Sequence, residues 1–375
     1  MSKTIRQLHR GRWQSAIDLA TRLCDSQTLP CVAIATGTEY EIEGLTHVGR
    51  QRLNHEAPLR DDAIFLVASI TKPIVAMAAL LLIERGELAL ADRVVETIPE
   101  FGCQGKYGIE LRHLLTHTSG LVDMLPDNLE LRKNHATLEQ FVQRTCEESL
   151  TFSPGRGVQY QSMGFAMLGA IITRITGKSC ARFLHDEFFV PLGLNDAALG
   201  ATDDWFNGPS NKNERIPDAL VPEGHTEGAD WNWNSRYWRQ LGAPWGGLLI
   251  SARDLATYAQ FMLRHGRSSD GQRLLSPAAI AAATRNQLEC MRDVPEIERR
   301  CRPWGLGWRL DWPAHSANFG DLLSTHTYGH WGATGTVMWI DPEAGTFGIV
   351  LTTLPQEPSG KYLSRLSSAI AAAWE

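Results

Sequence analysis

Strand-forming sequence lies at the two ends of this chain and helix-forming sequence lies between them, an order that few architectures accommodate. Near the N-terminus, CVAIATG (31–37) and the polar–apolar alternation of EYEIEGLTHVGRQ (39–51) read as two antiparallel strands. Near the C-terminus, GTVMWIDPEAGTFGIVLTTL (335–354) reads as a hairpin, two β-rich runs around a DPEAG turn. From about Tyr362 to Trp374 the composition is helical. The expectation is one sheet built from both ends with a mostly helical region inserted, an α+β arrangement. The corresponding division is a discontinuous α/β sheet domain, 1–66 with 290–375, and a mostly helical domain, 67–289. No internal repeat is present.

Two helices in the middle are well marked. In SARDLATYAQFMLRHG, Ser251 is placed as N-cap with Asp254 three residues on. Leu255, Tyr258, Ala259 and Met262 then form one apolar face, and Gly266 suits the C-terminal end. MGFAMLGAIITRITG (163–177) is apolar nearly all round, which predicts a central buried helix ending at Gly177. The stretch 204–238 holds too many Gly, Pro, Asn and Asp residues for regular structure and reads as a long loop. It carries Trp205, Trp231, Trp233 and Trp238, with Trp245 just beyond, so five of the chain's 12 tryptophans cluster there. Such rings either pin the loop or wall a ligand pocket.

Bulk properties remove several classes of function. A net charge of -6 lacks the positive surface that phosphate binding needs, and no basic stripe offsets it. The N-terminal stretch lacks the apolar run of a secretory signal, and Pro73 to Ile83 is too short to span a bilayer. Seven cysteines, odd in number and without a CxxC pair, read as reduced thiols of a cytoplasmic protein.

Ser69 and Lys72 stand three residues apart in LVASITKPIVAMAALLLIERGEL, an otherwise apolar segment (66–88). On a helix that spacing makes the side chains neighbours. A serine hydroxyl needs a base to become nucleophilic, and a desolvated lysine can be that base. Backbone N–H groups at a helix N-terminus could hold a developing oxyanion. Four residues of this kind also arise by chance, as an N-cap followed by a solvated lysine. Two further segments bring candidates: Tyr160 follows a PGRG turn just before the buried helix, and His330 lies in GHWGATG (329–335) before the terminal hairpin.

Taken together, VASITK (67–72), LRHLLTHTSGL (111–121), F-x-PG-x-x-x-x-Y (152–160), the helix ending in ITG, PLGL (191–194), GGLLISARDLA (246–256) and HWGATG (330–335) resemble the serine β-lactamase and penicillin-binding-protein superfamily. The similarity is greatest to the class C β-lactamase-like branch with its family VIII carboxylesterases and D-aminopeptidases, and it spans about 30 to 355. The resemblance implies a β-lactamase/transpeptidase-like fold and a serine hydrolase working through an acyl-enzyme, without a cofactor or metal. It implies Ser69 as nucleophile, Lys72 as its proton partner, Tyr160 as general base or relay, and His330 at the position of the family's K-T-G lysine. The oxyanion hole would be the backbone N–H groups of Ser69 and Ala333. Ser162, Trp331, Gly332, Trp233 and Trp245 are the expected substrate-binding residues.

Two departures bear on the substrate. Ser162 replaces the asparagine of Y-x-N, and His330-Trp331-Gly332 replaces K-T-G, so a largely neutral imidazole stands where a fixed cation suits a carboxylate. The expectation is therefore a small ester or amide with an uncharged acyl group rather than a penicillin. An amidase, a D-aminopeptidase, a weak β-lactamase and a silent ligand-binding relative remain the alternatives, and the oligomeric state is open. His113 and His117 have a zinc-like spacing but no third ligand. Ser119 is read as a turn residue, and Asp123, Asp127, Glu147 and Glu148 as solvated charge.

Overall fold

The computed structural model describes residues 6–223, 228–310, 318–355 and 360–375. Its strands are β1 (Cys31–Thr38), β2 (Ile42–Gly49), β3 (Ile64–Leu66), β4 (Ala197–Leu199), β5 (Leu248–Ser251), β6 (Arg309–Leu310), β7 (Tyr328–Gly332), β8 (Thr336–Asp341) and β9 (Thr346–Thr352). The main sheet has the order β2-β1-β9-β8-β7-β6, antiparallel throughout. The two chain ends meet at its centre, where β1 pairs with β9 from Val32↔Thr352 to Thr38↔Thr346.

All eight residues of β1 are buried, as in a strand covered on both faces. The two-residue period of the strand divides its side chains between two cores. Val32 and Ile34 face the helices Arg10–Asp25 and Lys361–Ala371, packing with Trp13, Ala16, Leu366 and Ile370. Cys31, Ala33 and Ala35 face the larger core, which includes Leu255, Ala259 and Met262 of the helix Ala252–Leu263. That helix begins as the sequence suggests: Ser251 Oγ accepts from Asp254 N at 3.1 Å, and Gly266 takes a left-handed φ of +87° just beyond its end. It covers the sheet even though it comes from the middle of the chain.

The helix Thr71–Glu84 is the spine of the other half. Every side chain from Thr71 to Leu82 is buried, and the helix lies against Met163–Thr176, which ends at Gly177 with φ +69°. Two features depart from the sequence-based expectation. A second sheet, β3-β5-β4, takes two of its strands from the mostly helical stretch; strands of three or four residues are too short for any periodicity to show. The Trp-rich segment also contains short helical turns, Asp203–Asn207, Lys212–Arg215 and Arg236–Leu241. Ser235 starts the last of these by accepting from Trp238 N at 3.1 Å, a local cap that outweighs the unfavourable composition. No helix among the described residues is long and apolar enough to cross a membrane.

Met77 is fully enclosed at the centre of the Thr71–Glu84 helix. Met77→Ala is expected to cost about 2–5 kcal/mol, read as a lower denaturant midpoint at unchanged slope. A midpoint equal to that of the parent would contradict the packing described.

Candidate active site

After β3 the chain makes one tight turn before its spine helix. Val67 N donates to Leu248 O at 3.0 Å, and Ala68 adopts φ +46°, a left-handed conformation costly for a residue with a Cβ. Ala68–Ile70 form a single 3₁₀ turn and Thr71 opens the helix. Thr71 Oγ1 fixes the turn from both sides, donating to Ala68 O (2.6 Å) and accepting from Leu248 N (3.0 Å). Across this turn and the first residues of the helix the i, i+3 spacing brings Lys72 beside Ser69.

Lys72 Nζ lies 3.0 Å from Ser69 Oγ and donates to the carbonyl of Trp245 at 2.9 Å. The lysine is fully buried, and desolvation lowers its pKa to about 7 against the opposing pull of Asp123, with Arg309 lowering it further. In the neutral amine one N–H keeps the Trp245 carbonyl while the lone pair faces the serine hydroxyl. Tyr160 packs beneath it, with Nζ 4.7 Å from the ring centroid, and lines the same cavity as Ser69. Burial raises the phenol well above its ordinary pKa, so Tyr160 is a proton donor at neutral pH.

Tyr160 is itself held by a residue that sequence reasoning set aside. His117 has φ +59°, and its O and Nδ1 accept from Gln159 N (2.9 Å) and Gln161 N (3.1 Å), the amides on either side of Tyr160. Its ring lies 4.8 Å from the Tyr160 ring and 4.1 Å from that of Trp304. His113 instead closes a capping box on Leu111–Leu115, accepting from Glu110 N, so the two histidines do not share a helix face. Ser119 forms a local turn, its Oγ accepting from Leu121 N. Among the described residues no three His, Cys, Asp or Glu side chains gather as metal ligands.

The opposite wall comes from the main sheet. Thr334 Oγ1 donates to Leu66 O (2.6 Å) and Thr336 Oγ1 to Val67 O (3.0 Å), tying the β7–β8 turn to the strand that leads into Ser69. A Cβ on Gly332 would stand 2.2 Å from Val67 O, so only glycine allows this approach. Ala333, exposed at the turn, faces the same cavity as Ser69. His330 is wholly buried beneath it, with Nδ1 2.6 Å from Trp331 O. Desolvation, with Arg309 and Lys72 nearby, keeps the imidazole neutral.

A cavity of about 600 Å³ opens over Ser69. Of the expected residues, Ser69, Tyr160, Ser162, Trp233, Trp245, Trp331 and Ala333 line it, whereas Lys72, His330 and Gly332 lie below its floor. Ser162 donates to Asp123 Oδ1 at 2.7 Å. Asp123 is therefore not simply solvated surface charge: its exposed face is turned into the cavity. Asp127, Glu147 and Glu148 form ion pairs with Arg144 instead. Two cationic cavity residues escaped the sequence reading, Arg132 and Arg309. Arg309 is buried on β6 with its guanidinium carbon 3.5 Å from the Trp331 ring centroid and 5.0 Å from that of Tyr160. A fixed cation thus stands beside the neutral His330 after all, supplied by a different strand.

The Beta-lactamase family profile matches residues 5–372. The chain belongs to that family. Esterase EstB from Burkholderia gladioli is 32% identical to it over 352 residues, covering 84% of each protein. Penicillin-binding protein 4 from Amycolatopsis lactamdurans is 27% identical over 352 residues, 91% of this chain and 84% of that one. The crystal structure of a penicillin-binding-protein homologue from Caulobacter crescentus superposes with a TM-score of 0.79 at 22% identity, over 99% of this chain and 100% of the other, a likeness of fold. The protein is thus a serine hydrolase of the β-lactamase/transpeptidase fold.

A base must be unprotonated to act, and Lys72 loses its proton near pH 7. Ester kcat/KM is expected to rise with pH and level off above about pH 7, falling about tenfold per unit below it. A profile flat between about pH 5.5 and about pH 8.5 would exclude Lys72 as the titrating base.

Proposed function

We infer that the protein is an esterase-type hydrolase of small esters that forms its acyl-enzyme on Ser69. The observation that carries this reading is the buried Lys72 amine 3.0 Å from the serine oxygen, on a wall shared with the Tyr160 phenol. Ser69 Oγ attacks the ester carbonyl carbon while its proton passes to Lys72 Nζ. The backbone N–H groups of Ser69 and Ala333 receive the oxyanion. Collapse of the tetrahedral species breaks the C–O bond, and the alcohol leaves with the proton returned from Lys72 through the Tyr160 phenol. Water then attacks the acyl carbon along the reverse path, its proton going to Lys72, and Ser69 is regenerated.

Lys72 rather than Tyr160 takes the role of base, because burial moves the lysine towards neutrality and the phenol away from ionisation. His330, below the cavity floor, supports the Tyr160 side of the site, with ring centroids 5.9 Å apart. The similarity to a named esterase favours esters over amides. All seven cysteines are free thiols, which supports a reducing, cytoplasmic location.

Mixing the protein with p-nitrophenyl acetate is expected to give a burst of p-nitrophenol stoichiometric with enzyme. Ser69→Ala should remove the burst and lower kcat on the order of 10⁴-fold or more without unfolding the chain. Unchanged turnover in that variant would end the proposal. Simple esters are further expected to exceed every penicillin and cephalosporin in kcat/KM; a β-lactam at the head of the ranking would reverse the substrate assignment.

A further inference from the structure

Arg132 lies on the short helix Asn128–Lys133 and reaches the wall of the cavity that holds Ser69. Its side chain is only 3% exposed. The guanidinium carbon sits 4.2 Å from the Trp238 ring centroid and 5.3 Å from that of Trp231, and Nη2 donates to Trp231 O at 3.1 Å. Nε has no acceptor. Among the described residues no carboxylate pairs with this cation, and Tyr237 is the one ionisable group whose charge acts on it. Burial lowers its pKa to about 10, which leaves it charged at neutral pH.

Several other arginines of the fold are held by carboxylates. Arg52, Arg144 and Arg215 each hold two or more carboxylates, and buried Arg239 still feels Asp218 and Glu214. Asp123, the acid of the cavity, acts on Lys72, Tyr160 and Arg309, at the Ser69 end. Leu125, Pro126, Leu129, Trp233 and Trp238 give the rest of the wall an apolar character. A buried cation without a counter-ion is costly, and an anion arriving with the ligand removes that cost. The planar fork of arginine fits a carboxylate by two parallel hydrogen bonds.

We propose that Arg132 is a substrate-binding residue that receives a free carboxylate, so that the preferred substrate is an anionic ester whose carboxylate is joined to the scissile carbonyl by an apolar chain. This rests on the acyl-enzyme reading of the same cavity. It also departs from the sequence-based expectation of an uncharged acyl group, because the cation comes from a helix that no motif marks.

Two measurements test it. The first compares mono-p-nitrophenyl esters of the dicarboxylic acids from adipate to sebacate with the same esters capped as methyl esters. At one chain length or more the free acid is expected to exceed its capped form in kcat/KM on the order of tenfold. The ratio should fall towards one in Arg132→Gln and be partly kept in Arg132→Lys. Equal turnover of free and capped esters at every length would overturn the assignment of Arg132 while leaving the serine mechanism standing. The second reads binding alone, by titrating suberate into Ser69→Ala and following tryptophan fluorescence, since Trp231 and Trp238 flank the guanidinium. A saturable change that dimethyl suberate does not produce, and that Arg132→Gln on the same background loses, is expected even if no ester is hydrolysed. No change with suberate, or the same change in Arg132→Gln, would refute the carboxylate site.

Discussion

The arrangement depends on one amine taken out of water. Lys72 stands among residues that are otherwise the apolar spine of the fold, from Thr71 to Leu82, and its desolvation moves it from a permanent cation towards a neutral amine. Two partners limit the cost. The Trp245 carbonyl accepts one N–H, and Ser69 completes the environment at 3.0 Å. The carbonyl is available because Trp245 lies within a tight turn in which Gly246 N and Gly247 N both donate to Ala243 O, leaving the Trp245 oxygen to Lys72. Reactivity and core packing are therefore a single structural problem here, solved by the same helix.

The candidate site is assembled from two sets of elements, helical and sheet, that share one core. Ser69, Lys72 and Tyr160 belong to the helical side, while Ala333 and the Trp331 ring come from the main sheet. Thr334 and Thr336 hold the two together through carbonyls of the β3 strand and the residue after it, and Gly332 allows the backbones to approach. Such hydrogen bonds contribute about 1 kcal/mol each, a small amount beside the core, but they set the distance between Ser69 and the Ala333 turn on separate elements.

What could be read from the sequence, and what could not, follows a physical line. The central strands were legible because β1 and the β8–β9 hairpin are long enough to show their character, and Met163–Thr176 because it is apolar on all sides. Ser69, Lys72 and Tyr160 were legible through the resemblance of VASITK and F-x-PG-x-x-x-x-Y to a family's motifs, because Ser69 and Lys72 alone also fit a helix cap followed by a solvated lysine. β3, β4 and β5 were missed because three or four residues carry no period. Arg132, Arg309 and His117 were missed for another reason. Their importance arises from burial against aromatic rings contributed by distant segments, Trp238, Trp304 and Trp331 among them, and an arginine or histidine looks the same in sequence whether it is solvated or enclosed.

The clamp between the β7–β8 turn and the Ser69 turn has a consequence for synthesis of the chain. Residues separated by 268 and 269 positions must meet before the site exists, since Thr334 binds the carbonyl of Leu66 and Thr336 that of Val67. A ribosome that has completed the whole helical half has made the serine, the lysine and the tyrosine, yet not the amide of Ala333 opposite them. β1 likewise waits for β9 to arrive at its open edge. The candidate site is thus complete only once the last hairpin has closed the sheet.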